Sequence, residues 1–371
     1  MSTLLWAICI LWVVTLVTTL LNLASVSRLQ PRQPRRFPRV SIVVPARDEE
    51  RTIERTVRAL LAQTYPELEI IVVNDRSVDR TGEILAGFPG ITVVDNEEPP
   101  PGWLGKPWAL HQGSLRATGE LLLFVDADVI YEPPLVATAV AYLEERGVAL
   151  LSLFPDFEAH GFWEHVAMPN LAVFGFSFLP LWLGNRTRIV RLAIGGGTGN
   201  LVRRDLYLAA GGHEALQDAV VDDVGMARLM RREGHHTELV RAETMVRVRM
   251  YHGLREIVDG FTKNAFSTFD RSYLVAVPGV VLTLLVHLLP YAMALTGNAI
   301  ALATVGLITL TRVILFRSLG YRLDNALFGH PPMIVIWCAI LVRSMWMTGI
   351  RRRVHWRGRT YDADRTKFGA E

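Results

Sequence analysis

The chain of 371 residues is half hydrophobic, carries a formal net charge of only +3 and contains two cysteines, Cys9 and Cys338. That length accommodates one large domain with membrane segments, or two ordinary domains. Both cysteines lie inside apolar stretches, which excludes a disulfide framework and a cysteine-ligated zinc site. Arginines cluster at 28–39 and 351–359 beside hydrophobic segments, a pattern of membrane flanks rather than of a nucleic-acid surface.

Residues 3–24 carry no charge and are long enough to cross a bilayer. With no basic stretch before them and no small-residue cleavage site after them, the expectation is an uncleaved N-terminal anchor over 1–27. A basic linker follows at 28–39, where five arginines place the next domain on the cytoplasmic side and Pro31, Pro34 and Pro38 stiffen the connection. The localisation expected is the plasma membrane, multi-pass.

From Val40 to about residue 265 the pattern is that of an α/β domain. Ser41 to Pro45 reads as a buried strand, and Asp48-Glu49-Glu50 opens a helix with Ile53, Val57, Leu60 and Leu61 at helical spacing. Glu69 to Val73 is the next strand, ending in Asn74-Asp75, and Ile91 to Val94 is a third. Strands alternating with helices imply right-handed crossovers and a parallel sheet, whose ligands gather at the strands' carboxyl ends. Lys106 falls just before a helix opening at Pro107, a favourable place for phosphate charge. Leu121 to Val125 is wholly apolar and stops in Asp126-Ala127-Asp128. Period-two geometry sends those two carboxylates to one side, where hard oxygens can hold Mg2+ or Mn2+ and leave metal positions open for a diphosphate.

Pro45-Ala46-Arg47-Asp48-Glu49, Val73-Asn74-Asp75-Arg76-Ser77-x-Asp79-x-Thr81, Trp103-x-Gly105-Lys106-x-Trp108-Ala109 and Asp126-Ala127-Asp128, in that order and spacing, resemble a family 2 glycosyltransferase of GT-A fold. The resemblance implies donor-binding roles for Pro45, Ala46, Arg47, Asp48, Glu49, Asp75, Lys106 and Asp126. It also implies that Asp126 and Asp128 carry a metal that neutralises the diphosphate leaving group.

Between 155 and 183 aromatic residues accumulate, reading either as a segment lying in the membrane interface or as core packing. Ile194-Gly195-Gly196-Gly197-Thr198-Gly199-Asn200 lacks the spacing of a dinucleotide fingerprint. In the resembled family this position is a strand-edge turn beside the acceptor, which puts Gly197, Thr198, Gly199 and Asn200 on the acceptor side. Asp222-Asp223 precedes an amphipathic helix. A displacement at a sugar needs a carboxylate base near the acceptor hydroxyl, and alignment with the family's Glu-Asp pair makes Asp223 that base. Which of Asp222 and Asp223 points at the substrate stays open. His235-His236, on an exposed helix end, is not expected to ligate metal.

The stretch Arg247 to Asn264 resembles bacterial members that glycosylate carotenoids, hopanoid-related lipids or other polyisoprenoids, and no Gln-x-x-Arg-Trp occurs, so a single transfer is expected rather than polymer synthesis. A C-terminal membrane region follows at 274–350, a hairpin broken at Thr296-Gly297-Asn298 and another apolar stretch at 332–349. Arg312 and Arg343 make these segments poor lipid-facing helices. A basic tail occupies 351–371, and three spans would carry it outside, against the positive-inside rule. The function expected is an inverting, metal-dependent hexosyltransferase that uses a nucleotide-diphosphate sugar and a membrane lipid acceptor, with no nucleic-acid partner. The rival from another class is a transport or assembly subunit with a nucleotide-binding domain, weakened by the absence of an inverted repeat.

Overall fold

The structure is a computed structural model that describes residues 2–351, 353–356 and 359–362. The described residues divide into two compact units, one formed by 27–158 and 183–250, the other by 2–26, 159–182 and the described residues between 251 and 362.

The first unit is built on ten strands: β1 (Val40–Ala46), β2 (Leu68–Asn74), β3 (Thr92–Asp95), β4 (Leu121–Phe124), β5 (Val129–Tyr131), β6 (Leu150–Phe154), β7 (Asp156–Phe157), β8 (Asn200–Arg203), β9 (Thr237–Arg241) and β10 (Val246–Val248). Seven of them form a sheet in the order β3-β2-β1-β4-β8-β6-β9. β1 runs parallel to β2 and β4, β2 to β3 and β6 to β9, while β8 alone is antiparallel to its neighbours. This is the mostly parallel α/β sheet expected. Branched and aromatic side chains of Val43, Ile71, Val73, Leu122, Phe124 and Val202 pack beneath the helices, the burial on both faces that lets such strands read as continuous apolar runs. β1, β2 and β4 therefore bring their carboxyl ends to one edge, with β1 in the middle. β5, β10 and β7 form a second, smaller sheet.

Two local expectations are corrected. The helix expected to open at Asp48 starts at Ile53, and Asp48 sits instead in the left-handed region at φ 51°. The amides of Glu49 and Glu50 are satisfied across the fold, by Thr81 Oγ1 at 2.7 Å and Asp79 Oδ2 at 3.0 Å, so no helix cap forms there. The basic linker, for its part, is tied down. Leu29 N donates to Arg241 O and Arg241 N to Ser27 O, both at 2.8 Å, extending the sheet beyond β9. Arg28 pairs with Glu243 at 3.1 Å, Arg32 with Glu145, Arg36 with Glu144 at 2.6 Å and Glu120 at 2.9 Å, and Arg39 with Glu69 at 3.5 Å.

In the second unit four helices, among the described residues, are long and apolar enough to cross a membrane: Ser2–Ser25, Tyr273–Ala294, Ala299–Leu319 and the stretch His330–Ile350. The turn between the middle pair uses Gly297 at φ 76° and the Asn298 cap, whose side chain accepts from Ala301 N at 3.0 Å. Arg312 is fully buried and donates to the carbonyls of Ala326 at 3.1 Å and Asn325 at 2.8 Å, which resolves how an arginine lives on an apolar helix. Arg343 pairs with Asp259 at 2.6 Å. Part of the aromatic stretch is core. Phe176 is fully buried and its carbonyl accepts from Asn22 at 2.8 Å, whereas Phe162, Trp163 and Phe174 are exposed. Residues 159–182 and the amphipathic helix Gly253–Ala265 thus pack with the apolar helices, which differs from an uninterrupted domain over 40–265. Most of the basic tail expected at 351–371 lies outside the described residues, which include only Arg351 and a two-stranded hairpin, Arg353–Trp356 with Arg359–Asp362.

Candidate active site

Two groups of residues meet the sheet edge, both inside the first unit. The first surrounds the end of β4. Asp126 and Asp128 are each half-buried while Ala127 between them is buried, its carbonyl accepting from Thr56 Oγ1 at 2.8 Å. The expected strand alternation is corrected here: β4 ends at Phe124, and Asp126 to Val129 form a turn in which Val129 N donates to Asp126 O at 3.4 Å. Asp126 N donates to Gly197 O at 2.8 Å, and a Cβ on Gly197 would collide with the Asp126 carboxylate. Glycine is required there by close approach.

Lys106 lies in the first turn of the helix Gly105–Arg116. Its Nζ stands 2.7 Å from Asp126 Oδ1 and 3.3 Å from Asp222 Oδ1. Burial pulls the ammonium's pKa down, but Asp126, Asp222 and Asp223 together outweigh that and hold it well above the ordinary value. Asp222 is itself buried. Its burial, with Asp223 and Asp126 adding repulsion against the attraction of Lys106, pushes its carboxyl up to about 6.

Asp222 and Asp223 open the helix Asp222–Arg232, whose cap position is Val221 without a side-chain bond. Neither aspartate is the cap. Both sit in the first turn, where negative charge complements the helix dipole. Asp223 is more open than Asp222, and its Oδ1 accepts from Val224 N at 2.7 Å. Asn200 Nδ2 donates to Asp223 O at 3.2 Å, and Asn200 Oδ1 accepts from Ser152 Oγ at 2.7 Å. The turn before β8 therefore joins Asp126 through Gly197 to Asp223 through Asn200. Thr198 is held from both sides, donating from Oγ1 to Leu153 O at 2.7 Å and accepting from Tyr131 OH at 2.8 Å. Gly199 adopts φ 149° against Tyr131 and Leu153.

The second group spans the ends of β1 and β2. Pro45 and Ala46 pair with Val73 and Asn74, and Asp75 N donates to Ala46 O at 2.8 Å. Arg47 donates to Asp75 O at 2.8 Å, with its guanidinium 3.7 Å from the Asp75 carboxylate. Asp48 N donates to Ser77 Oγ at 3.1 Å, and Asp48 Oδ1 accepts from Val78 N at 2.9 Å. Glu49 accepts from Thr52 Oγ1 at 2.9 Å. The loops after β1 and β2 thus fix each other through side chains.

Three participants carried no role in the sequence reading. Asn96, just past β3 and buried, donates to Asp75 Oδ1 at 3.2 Å; its place at a strand end was the available signal. His213 backs the Lys106 cluster and shares a bond with Tyr207 OH at 2.8 Å; burial and the Lys106 charge hold it neutral, its pKa lowered to about 3. The third is the ion pair between Lys106 and Asp222, which no local pattern announces. A cavity of about 10 Å³ lies among Lys106, Asp126, Gly197, His213, Asp222 and Asp223, the size of a single water site.

No group of three or more His, Cys, Asp or Glu side chains among the described residues is placed to hold a metal ion. Asp126 and Asp128 supply two half-buried hard oxygen donors of the kind a divalent cation takes, and Gly197 keeps one face of Asp126 clear of side chain. His236 is engaged otherwise, with Nε2 at 2.7 Å from Asn185 O.

Residues 41–209 match the model of glycosyl transferase family 2. Over 335 residues the chain is 26% identical to 4,4'-diaponeurosporenoate glycosyltransferase of Staphylococcus aureus strain USA300, covering 87% of this chain and 88% of that protein. The same enzyme of strain MRSA252 is 27% identical over the same length. The fold is shared with a mannosyltransferase of Pyrobaculum calidifontis, solved with GDP-Man and Mn2+, at a TM-score of 0.55 and 20% identity, over 92% of this chain and 99% of that one.

Proposed function

We propose, for a chain that is a family 2 glycosyltransferase of GT-A fold, that it transfers one sugar with inversion from a nucleotide-diphosphate sugar to a polyisoprenoid acceptor of carotenoid type. The acceptor class rests on the 26% identity to an enzyme named for a carotenoid acid, over nearly the whole length of both proteins. A membrane-dissolved acceptor also suits a chain with four helices able to span a bilayer. In this reading those helices make the protein multi-pass, and the α/β unit faces the cytoplasm, where nucleotide sugars are made.

The observation that carries the reading is the bridging of Asp126 and Asp222 by Lys106, beside Asp223. The loops of Arg47, Asp48, Glu49 and Asp75 receive the nucleoside, and Lys106 meets diphosphate charge. Asp126 and Asp128 would hold Mg2+ or Mn2+, which when bound neutralises the departing diphosphate. The acceptor oxygen forms its bond to the anomeric carbon as the bond to the diphosphate breaks, and Asp223 takes the acceptor's proton. Asp222 stays with Lys106 and positions it. The turn from Gly197 to Asn200 holds the two carboxylate groups in register on the acceptor side.

Two measurements test this. Titration with UDP- and GDP-sugars, with and without Mn2+, is expected to give metal-dependent binding to one of them. Mass spectrometry of membrane lipids from cells with and without the protein is expected to show a glycosylated polyisoprenoid only when it is present. Metal-independent donor binding with an unchanged lipid profile would contradict the reading.

A further inference from the structure

The loop that leads from Asn185 to Leu192 reads Asn-Arg-Thr-Arg-Ile-Val-Arg-Leu, and Arg186, Arg188 and Arg191 are all exposed. None of the three has an ion-pair or hydrogen-bond partner for its guanidinium among the described residues, and the loop has no acidic residue. Lone unpaired surface arginines are ordinary. Three in one short loop are not, in a chain whose Arg28, Arg32, Arg36 and Arg39 each meet a glutamate.

The loop's backbone is held from beneath. Buried Arg231 donates to Gly184 O at 2.9 Å and Ile189 O at 2.8 Å. Asn185 exchanges bonds with Leu239, donating to its carbonyl at 2.7 Å and accepting from its amide at 2.9 Å. With the main chain pinned inward, the guanidinium groups have only solvent to face. Ile189, 49% exposed, stands among them, so the surface offers cations around an apolar side chain.

We propose that this loop docks on an anionic phospholipid surface, the three arginines on headgroup phosphates and Ile189 at the acyl boundary. Charge complementarity supports that occupant, as does covalent continuity. The loop begins just after Trp182, the end of the segment that packs with the apolar helices, and four residues of chain reach at most about 14 Å. Gly195, three residues past the loop, lies against the Asp223 backbone, so docking would hold the chain next to the site at the bilayer that supplies the acceptor. The proposal rests on the reading that the apolar helices are embedded in membrane.

The test uses the full chain in nanodiscs of phosphatidylcholine alone or mixed with phosphatidylglycerol, labelled with a fluorophore at Ile189→Cys and quenched by headgroup nitroxide lipid. A second label at Leu302→Cys, on an exposed position of the helix Ala299–Leu319, is quenched by acyl-chain nitroxide if the helices are inserted. Quenching at 189 is expected to rise with phosphatidylglycerol and to fall at high salt. Each basic residue near an anionic surface contributes about a fivefold shift in docking. Arg186→Gln with Arg188→Gln and Arg191→Gln should therefore lower the docking equilibrium about a hundredfold, with donor binding and quenching at 302 unchanged. Quenching at 189 that ignores lipid charge or the triple substitution, while 302 is quenched, overturns the proposal alone. An unquenched 302 overturns the membrane reading and the proposal with it. Loss of donor binding in the triple variant would assign the arginines to the nucleotide and overturn the docking role.

Discussion

The ammonium of Lys106 lies 3.3 Å from the buried carboxylate of Asp222, which stands at the start of a helix far along the chain. That contact joins the end of β4 to the helix carrying Asp223, since the same ammonium holds Asp126 at 2.7 Å. Removing it leaves Asp126, Asp222 and Asp223 facing one another. Lys106→Met is expected to lower kcat/KM about a hundredfold or more, the scale of losing one preorganised charged donor, with weaker donor binding. Steady-state kinetics with donor titration check this. A variant near wild type would remove Lys106 from the diphosphate site.

Gly197→Ala adds a single methyl and no charge, yet its Cβ would collide with the Asp126 carboxylate. The expectation is a folded protein whose Mn2+-dependent donor binding falls at least about tenfold, because Asp126 must leave its position. Calorimetric titration with and without the metal reads this directly. Unchanged metal-dependent binding would show that Asp126 does not ligate the cation.

Much of this arrangement was legible in the sequence, and the remainder was not for identifiable reasons. The apolar runs of β1, β2 and β4 stop where side chains turn polar, so their ends were found within a residue or two, and Asp75, Asp126 and Asp128 with them. Asp48 misled because an acidic triplet before an apolar period looks like a helix start, whereas its neighbours' amides are met by Thr81 and Asp79 from another loop. Sequence shows the charge of Arg36 but not that Glu120 and Glu144 converge on it. Arg312 was flagged as ill-suited to lipid, but its partners are carbonyls of the short helix Leu323–Phe328. Gly197 and Asn200 were read as one turn, and their separate ties to Asp126 and Asp223 are tertiary facts.

The linker's ion pairs are unequal. Arg36 is exposed, and Arg36→Ala should cost under about 1 kcal/mol, falling further with salt. Glu243 is buried and meets both Arg28 at 3.1 Å and Arg241 at 2.7 Å, the latter also buried. Glu243→Ala is expected to cost about 3 kcal/mol or more by leaving buried guanidinium charge uncompensated. Thermal unfolding of both variants in the same detergent gives the ranking, and equal losses would contradict it.

Asp156, on β7, has its carboxyl pushed up to about 6 by burial first, then by Glu158 and Glu243, with Arg247 opposing. In the unfolded chain an aspartate titrates near about 3.9. Because the folded pKa is the higher one, the ionised form is disfavoured by folding, and that cost is full above pH 6 and relieved as pH falls toward 4. Asp156→Asn should therefore raise the Tm at about pH 8, and the gain should vanish between about pH 6 and 4. A gain that persists at about pH 4 would mean that charge relief is not its origin.

The most direct test of the account is Asp223→Asn, assayed for turnover and for donor binding on the same preparation. Asp223 holds no helix cap and, among the described residues, its side chain accepts only from its neighbour's amide, so the amide replacement keeps its shape while removing basicity. The account predicts a loss of turnover of about a hundredfold or more, with donor and metal affinity near wild type and a smaller loss for Asp222→Asn. Near wild-type turnover in Asp223→Asn, or loss of donor binding in step with turnover, would contradict its assignment as the base.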